Sequence, residues 1–139
     1  MVYLDTSVLV ALFTNEATAE RIANWIAEET RPLVSGDWCV TEFASALALK
    51  QRTSQITSRQ GNAAWKVFGQ FCEGHLRVLP LDREVFSQAA QLVRNSKSGL
   101  RAGDALHLAL ALRVKSAAFF TLEGRLAGSA GQSKLPVVL

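Results

Sequence analysis

Three of the twelve acidic residues in this chain stand where a carboxylate is costly. Asp5 closes the apolar run Val2-Tyr3-Leu4, Glu42 interrupts Cys39-Val40-Thr41-Glu42-Phe43-Ala44, and Asp104 opens Ala105-Leu106-His107-Leu108-Ala109-Leu110. A carboxylate taken out of water alone is strongly disfavoured, so such groups pair with a cation, a metal or several hydrogen-bond donors. Three of them in a chain of 139 residues point to a shared cation. Oxygen ligands without Cys or His among them favour hard ions, Mg²⁺ or Mn²⁺. Such ions suit phosphodiester chemistry, where they activate water, neutralise the scissile phosphate and stabilise the leaving oxygen.

Bringing three distant acids together is the task of the fold. Short apolar runs alternate with longer helical patterns along the chain. Strands are expected at Val2–Asp5, Pro32–Ser35, Leu76–Leu79, Ala117–Leu122 and Pro136–Val138. Helices are expected near Ser7–Phe13, Ala17–Glu29, Trp38–Gln51, Ser58–Cys72, Arg83–Asn95 and Ala102–Lys115. Strands separated by helices imply parallel pairing in a layered α/β domain spanning residues 1–139. A helix that follows a strand in a right-handed crossover starts at the strand's carboxyl edge. Asp5 ends the first strand, and Glu42 lies early in the helix after the second. Asp104 opens the helix that leads into the fourth strand, and Glu123 follows that strand directly. All four are thereby expected at the edge where open α/β sheets place their ligands. Four carboxylates would suit two metals about 3.5–4 Å apart, although one ion would also serve.

Each residue also has a purely structural reading. Asp5, Thr6 and Ser7 are all good helix N-caps, so any one could serve that role alone. Glu42 falls beside the polar stripe Thr41, Ser45, Arg52 of its helix, where a solvated glutamate is common. Asp104 belongs to a helix apolar on nearly every side, broken only by Arg101, Asp104 and His107 at three-residue spacing. Metal ligation or an ion pair with Arg101 would account for Asp104, since the helix dipole contributes only about 0.3–1 kcal/mol. His107 reads as a residue backing the ligands from behind or as a core residue satisfied by a local hydrogen bond, not as a base.

Composition narrows the classes. The content, 49% apolar and 19% charged, is that of an ordinary globular domain. The longest apolar runs are too short to cross a bilayer, and no basic residue precedes the first one as in a signal peptide. A cytoplasmic location with no membrane partner is therefore expected. Cys39 and Cys72 lie apart in apolar surroundings and read as free core thiols, and with no C-x-x-C pair and two histidines a zinc site is not expected. A net charge of +3 remains when several acids are gathered into one site, which leaves a basic surface suited to a polyanion such as nucleic acid. The same charge would also serve solubility alone. No Walker A loop, Gly-x-Gly-x-x-Gly or Gly-x-Ser-x-Gly is present.

Val2-Tyr3-Leu4-Asp5-Thr6-Ser7, the helical Thr41-Glu42, Arg101-Ala102-Gly103-Asp104-Ala105-Leu106-His107-Leu108-Ala109 and Thr121-Leu122-Glu123 together resemble the PIN-domain nucleases, in particular the VapC-type toxins of bacterial toxin–antitoxin pairs. The match runs through nearly the whole chain in the expected order. The resemblance implies a three-layer α/β/α fold with a parallel sheet of four to five strands flanked by helices. It implies a Mg²⁺- or Mn²⁺-dependent endoribonuclease with Asp5, Glu42 and Asp104 as acidic core and metal ligands. Thr6, Ser7 and Thr121 would support that core by hydrogen bonding. An RNA substrate, a cognate antitoxin and a homodimer are the implied partners. The fourth acid of the pattern is usually an aspartate, and here it is Glu123, whose extra methylene carries the charge outward. Arg101 and Arg125 are the candidates to guide RNA, whereas Lys50, Arg52, Arg113 and Lys115 sit near helix C-termini, where they complement the dipole. Trp25, Trp38 and Trp65 read as packing residues.

Two other classes are open to the sequence. An aspartate-based phosphatase would use Asp5 as nucleophile, but a second acid near it is missing: position 7 is Ser. A PIN-like module that binds RNA or protein without cutting is the non-enzymatic alternative, invited by Glu123.

Overall fold

The computed structural model of the protein describes residues 1–138. Its elements run β1 (Val2–Leu4), α1 (Thr6–Phe13), α2 (Ala19–Glu28), β2 (Leu33–Gly36), α3 (Trp38–Arg52), α4 (Ser58–Gly74), β3 (Leu76–Leu79), α5 (Arg83–Arg94), a 3₁₀ turn at Ser96–Ser98, α6 (Ala102–Arg113), β4 (Ala118–Phe120), α7 (Gly124–Gln132) and β5 (Val137–Val138). The strands form one sheet in the order β3-β2-β1-β4-β5, and every pairing is parallel.

β1 is the central strand and explains the layering. Its three residues are fully buried because helices cover both sheet faces. Val2 and Leu4 point into a core shared with α1, α3 and α4, together with Phe43, Phe68 and Phe120. Tyr3, one residue out of phase, enters the second core with Leu106, Leu108, Phe119 and Leu126. The expected three-layer α/β/α fold with a five-stranded parallel sheet is what the chain adopts.

Two strand boundaries matter for the site. The first strand stops at Leu4, because Asp5 turns to cap α1. The fourth stops at Phe120, which frees Thr121 and Leu122 from the ladder and lets the Thr121 hydroxyl turn towards β1. α6 lies between the sheet and α5 as a core helix, with every residue from Ala105 to Ala111 buried. α7 is not expected from sequence. Glycines at 124, 128 and 131 weaken its helical signal, and it is held instead by burial of Leu126 and Ala130.

Candidate active site

Asp5 is both a cap and a cleft residue. The Val8 N–H donates to its Oδ1 at 3.4 Å, so the structural role as N-cap is real. The Ser7 hydroxyl donates to the same oxygen at 2.6 Å, and the Thr121 hydroxyl to Oδ2 at 2.7 Å. Those hydroxyls in turn accept the Leu122 and Glu123 N–H groups, both at 3.0 Å, which ties the carboxyl end of β4 to that of β1. Asp5 is 2% exposed, and no Lys or Arg among the described residues pairs with it. Burial pushes its carboxyl above the usual aspartate range, against the opposing influence of the His107 ring and the donors from Ser7, Thr121 and Val8.

Glu42 projects from the early part of α3 and is half-buried, with 28% of its side chain exposed. Its Oε1 accepts the Thr6 hydroxyl at 2.7 Å and lies 2.5 Å from His107 Nε2. Burial works to raise this carboxyl, but the His107 and Thr6 contacts, with the Trp38 indole, outweigh it and hold the group below the usual glutamate range. The other oxygen borders Gly103: a Cβ at that position would lie 2.5 Å from Oε2 and 2.8 Å from Trp38 Nε1.

His107 is the buried, hydrogen-bonded ring expected from the sequence, except that its partners are not local. It is 2% exposed, but its partners are remote in sequence: Tyr3 Oη lies 2.8 Å from Nδ1, and Thr6 Oγ1 3.0 Å from Nε2. A three-residue helical stripe says which face the ring occupies, not what stands across from it.

Asp104, in the first turn of α6, lies 3.7 Å from Arg101 Nε. That pair contributes little, because the Arg101 side chain is 80% exposed. Glu123 is exposed at the start of α7. Asp5, Glu42, Asp104 and Glu123 line one cleft of about 400 Å³ at the carboxyl edge of the sheet, together with Glu16, a fifth acid not expected there, and with Arg101 at its rim. Arg125 is not among the residues lining it and packs by Gly99. Lys50 pairs with Glu16, and Arg113 with Asp82 and Glu84, as a structural role implies. A larger cavity of about 560 Å³ between α5, α6 and α7 has no carboxylate in its lining, so size does not locate the chemistry.

Residues to which the sequence reading gives no role in the site also shape it. Tyr3, Trp38 and Gly103 surround the Glu42–His107 pair. Tyr3 had a usable signal: it is the only tyrosine, placed in an apolar strand where its hydroxyl needs a buried partner. Cys39 is buried and its thiol is pushed up to about 12 by burial, while the Cys72 thiol is raised for the same reason. Both are free, and neither is activated.

The donor set suits a hard divalent cation. The lining acids offer oxygen alone, and Asp5 is a buried charge with no cationic partner among the described residues. Among those residues, no three acids, histidines or cysteines are gathered closely enough to hold an ion as they stand. No helix among them is long and apolar enough to cross a membrane.

Residues 2–130 match the family described as PIN domain. Ribonuclease VapC47 of Mycobacterium tuberculosis is 27% identical over 128 residues, which cover 91% of this chain and 87% of that relative. Among solved structures, Mycobacterium tuberculosis VapC20, described as a sarcin-ricin loop cleaving toxin, superposes with a TM-score of 0.74 at 18% identity, covering 93% of this chain and 95% of its own. FitAcB from Neisseria gonorrhoeae superposes with a TM-score of 0.69 at 21% identity, covering 100% and 97%. At those identities the two structures speak to the fold.

Proposed function

This chain belongs to the PIN-domain family, and from that premise we propose that it is a VapC-type toxin: a Mg²⁺- or Mn²⁺-dependent endoribonuclease of the cytoplasm, residues 1–139 acting as one nuclease domain. One observation carries the reading: five acids from separate parts of the chain, Asp5, Glu16, Glu42, Asp104 and Glu123, line one cleft, and the most buried of them, Asp5, has no Lys or Arg partner among the described residues. Its 27% identity to a protein named as a ribonuclease supports the choice of RNA as substrate.

In this reading Asp5 and Asp104 hold the ion, with Glu42 as a ligand or as the base that orients the attacking water. The bound ion supplies charge to offset the scissile phosphate and to activate water. Ser7 and Thr121 fix both oxygens of Asp5 and set the direction of its free lone pairs. Thr6 does the same for one oxygen of Glu42. Glu123, exposed on the cleft wall, assists by drawing a second ion or a water. Arg101 at the rim attracts the phosphate backbone, and Arg125 extends that basic path outside the cleft. Hydrolysis adds water across the P–O bond, and the departing oxygen takes up the proton that the attacking water gives up. A cognate antitoxin would cover the cleft to hold the toxin inactive, and a homodimer is the expected assembly.

The deciding experiment expresses the parent and Asp5→Asn side by side, follows growth and maps RNA ends. Growth arrest with new ends in the parent alone is the expected result. RNA left intact by the purified protein across Mg²⁺ and Mn²⁺ titrations, on several RNA classes, would move the chain to the binding-module reading.

A further inference from the structure

Glu42 is the acid of the cleft held by a fully buried titratable side chain, His107. Its Oε1 is taken up twice, by Thr6 at 2.7 Å and by His107 at 2.5 Å. The His107 ring is itself fixed from behind, because Tyr3 Oη meets Nδ1 at 2.8 Å and the two rings pack edge to face at 5.7 Å. Tyr3 belongs to the central strand and stacks on Phe119 of the neighbouring one, so it cannot shift without moving the sheet. A Tyr3 hydroxyl donating to Nδ1 leaves the ring proton on Nε2, where it donates to Glu42. The chain thus holds the acid by a rigid relay that starts in the sheet and ends in the cleft.

We propose that His107 is the positioning residue of this site: anchored by Tyr3, it locks Oε1 of Glu42 and leaves Oε2 as the oxygen that works on the substrate side. This rests on the ribonuclease reading. Two observations favour positioning over mere core packing. A buried ring needs only one partner for each nitrogen, yet here Nε2 meets both the acid, Glu42, and Thr6, the hydroxyl that also holds that acid. Opposite the locked oxygen, Oε2 is given room by a residue without a side chain, Gly103, beside the buried Trp38 indole N–H, which makes no well-formed hydrogen bond but lies close enough to favour the Glu42 carboxylate. A buried indole donor is costly unless an acceptor is near, so its place beside Oε2 marks a spot kept polar.

The test uses the full chain and two independent readings. The first is RNA cleavage by His107→Ala, His107→Gln and Tyr3→Phe, with kcat and KM separated. His107→Ala should lose kcat by about ten- to a hundredfold, the usual effect of removing a partner that orients a ligand, with KM for RNA little changed. Glutamine, whose amide nitrogen can reach the Nε2 position, should restore most of that loss, and Tyr3→Phe should fall between. Parent-like kcat in His107→Ala, or a glutamine variant as poor as alanine at equal thermal stability, overturns the proposal.

The second reading needs no activity. The chain has two histidines, and His75 is exposed, so a ¹⁵N-histidine spectrum of the metal-free protein resolves the buried ring. An exchange-protected Nε2–H that shifts in Glu42→Ala and loses its tautomer preference in Tyr3→Phe is expected. A His107 signal unmoved by Glu42→Ala means the relay does not exist, and the proposal fails. Should neither parent nor variants cut RNA, the ribonuclease reading fails by itself, and the spectrum still decides whether His107 holds Glu42.

Discussion

Asp5 and Asp82 do the same local work in opposite surroundings. Each caps a helix from a nearly identical backbone, φ −84° with ψ 174° for Asp5 and 173° for Asp82, and each accepts the N–H three residues ahead. Asp82 makes the better cap, at 3.0 Å from Val85 N against 3.4 Å for Asp5 and Val8 N. Its side chain is 57% exposed and faces Arg113 at 3.1 Å. Asp5 is 2% exposed with hydroxyls as its side-chain partners. A helix start that needed only a cap would be served by the exposed, cation-paired version. The buried version holds a carboxyl whose ionised form no Lys or Arg among the described residues neutralises, and such a cost is borne at sites of chemistry.

The largest expected effect separates the two caps by activity. Asp5→Asn should lower metal-dependent RNA cleavage by about a thousandfold or more, while Asp82→Asn leaves it unchanged. Asparagine still fits at position 5, since its amide can meet Thr121 and its carbonyl can accept from Ser7 and Val8. Equal losses in initial-rate assays of both variants would erase the distinction and reduce Asp5 to a cap.

Next in size is a change that leaves every acid in place. Gly103→Ala adds a methyl 2.5 Å from Glu42 Oε2 and 2.8 Å from Trp38 Nε1. The side chain of Glu42 is the flexible partner and must yield, so the helix survives while the acid moves. Cleavage should drop about ten- to a hundredfold, the scale of a misplaced reacting group, with thermal melting close to the parent. A fully active Gly103→Ala would show that the position of Oε2 is not critical.

Stability then reverses the order of the caps. Asp82→Ala should cost about 1 kcal/mol through the lost cap, read as a lower midpoint in urea. Asp5→Asn in metal-free buffer should cost nothing or stabilise, because it removes an unneutralised buried charge. If Asp5→Asn destabilised more than Asp82→Ala, Asp5 would be serving the fold first.

The same pair shows what a sequence can display. Asp5 at the end of Val2-Tyr3-Leu4 was legible, because an apolar run ending in a carboxylate marks a strand edge, and all five strands follow from such runs. That β1 is central also follows from its unbroken apolar character. The resemblance puts Thr6, Ser7 and Thr121 beside the acids, as the structure has them, but local pattern shows neither which acid each meets nor His107 as the partner of Glu42. Thr121 meets Asp5 across 116 positions and His107 meets Glu42 across 65, and periodicity carries no information at that range. Helix α7 was hidden for a different reason: its glycines and short side chains give little local preference, and packing of Leu126 decides its state.

The smallest effect is a slope with pH, and it tests whether burial alone distinguishes Asp5. Its carboxyl is raised by burial, so the folded chain binds that proton more tightly than the unfolded chain does. The group therefore costs nothing below its unfolded value, near about pH 4, and becomes a penalty as pH rises through the higher folded value. Glu42 runs the other way: burial opposes it, but His107 and Thr6 prevail, so its contribution is present above the ordinary glutamate value and is lost as pH falls through the lowered one. In metal-free thermal melts, the advantage of Asp5→Asn over the parent should grow from acid towards neutral pH. Added Mg²⁺ should shrink that gap by stabilising the parent, since a bound cation offsets the Asp5 charge. A gap that stays constant with pH would mean that Asp5 titrates like an exposed carboxylate, and the two caps would then differ in packing alone.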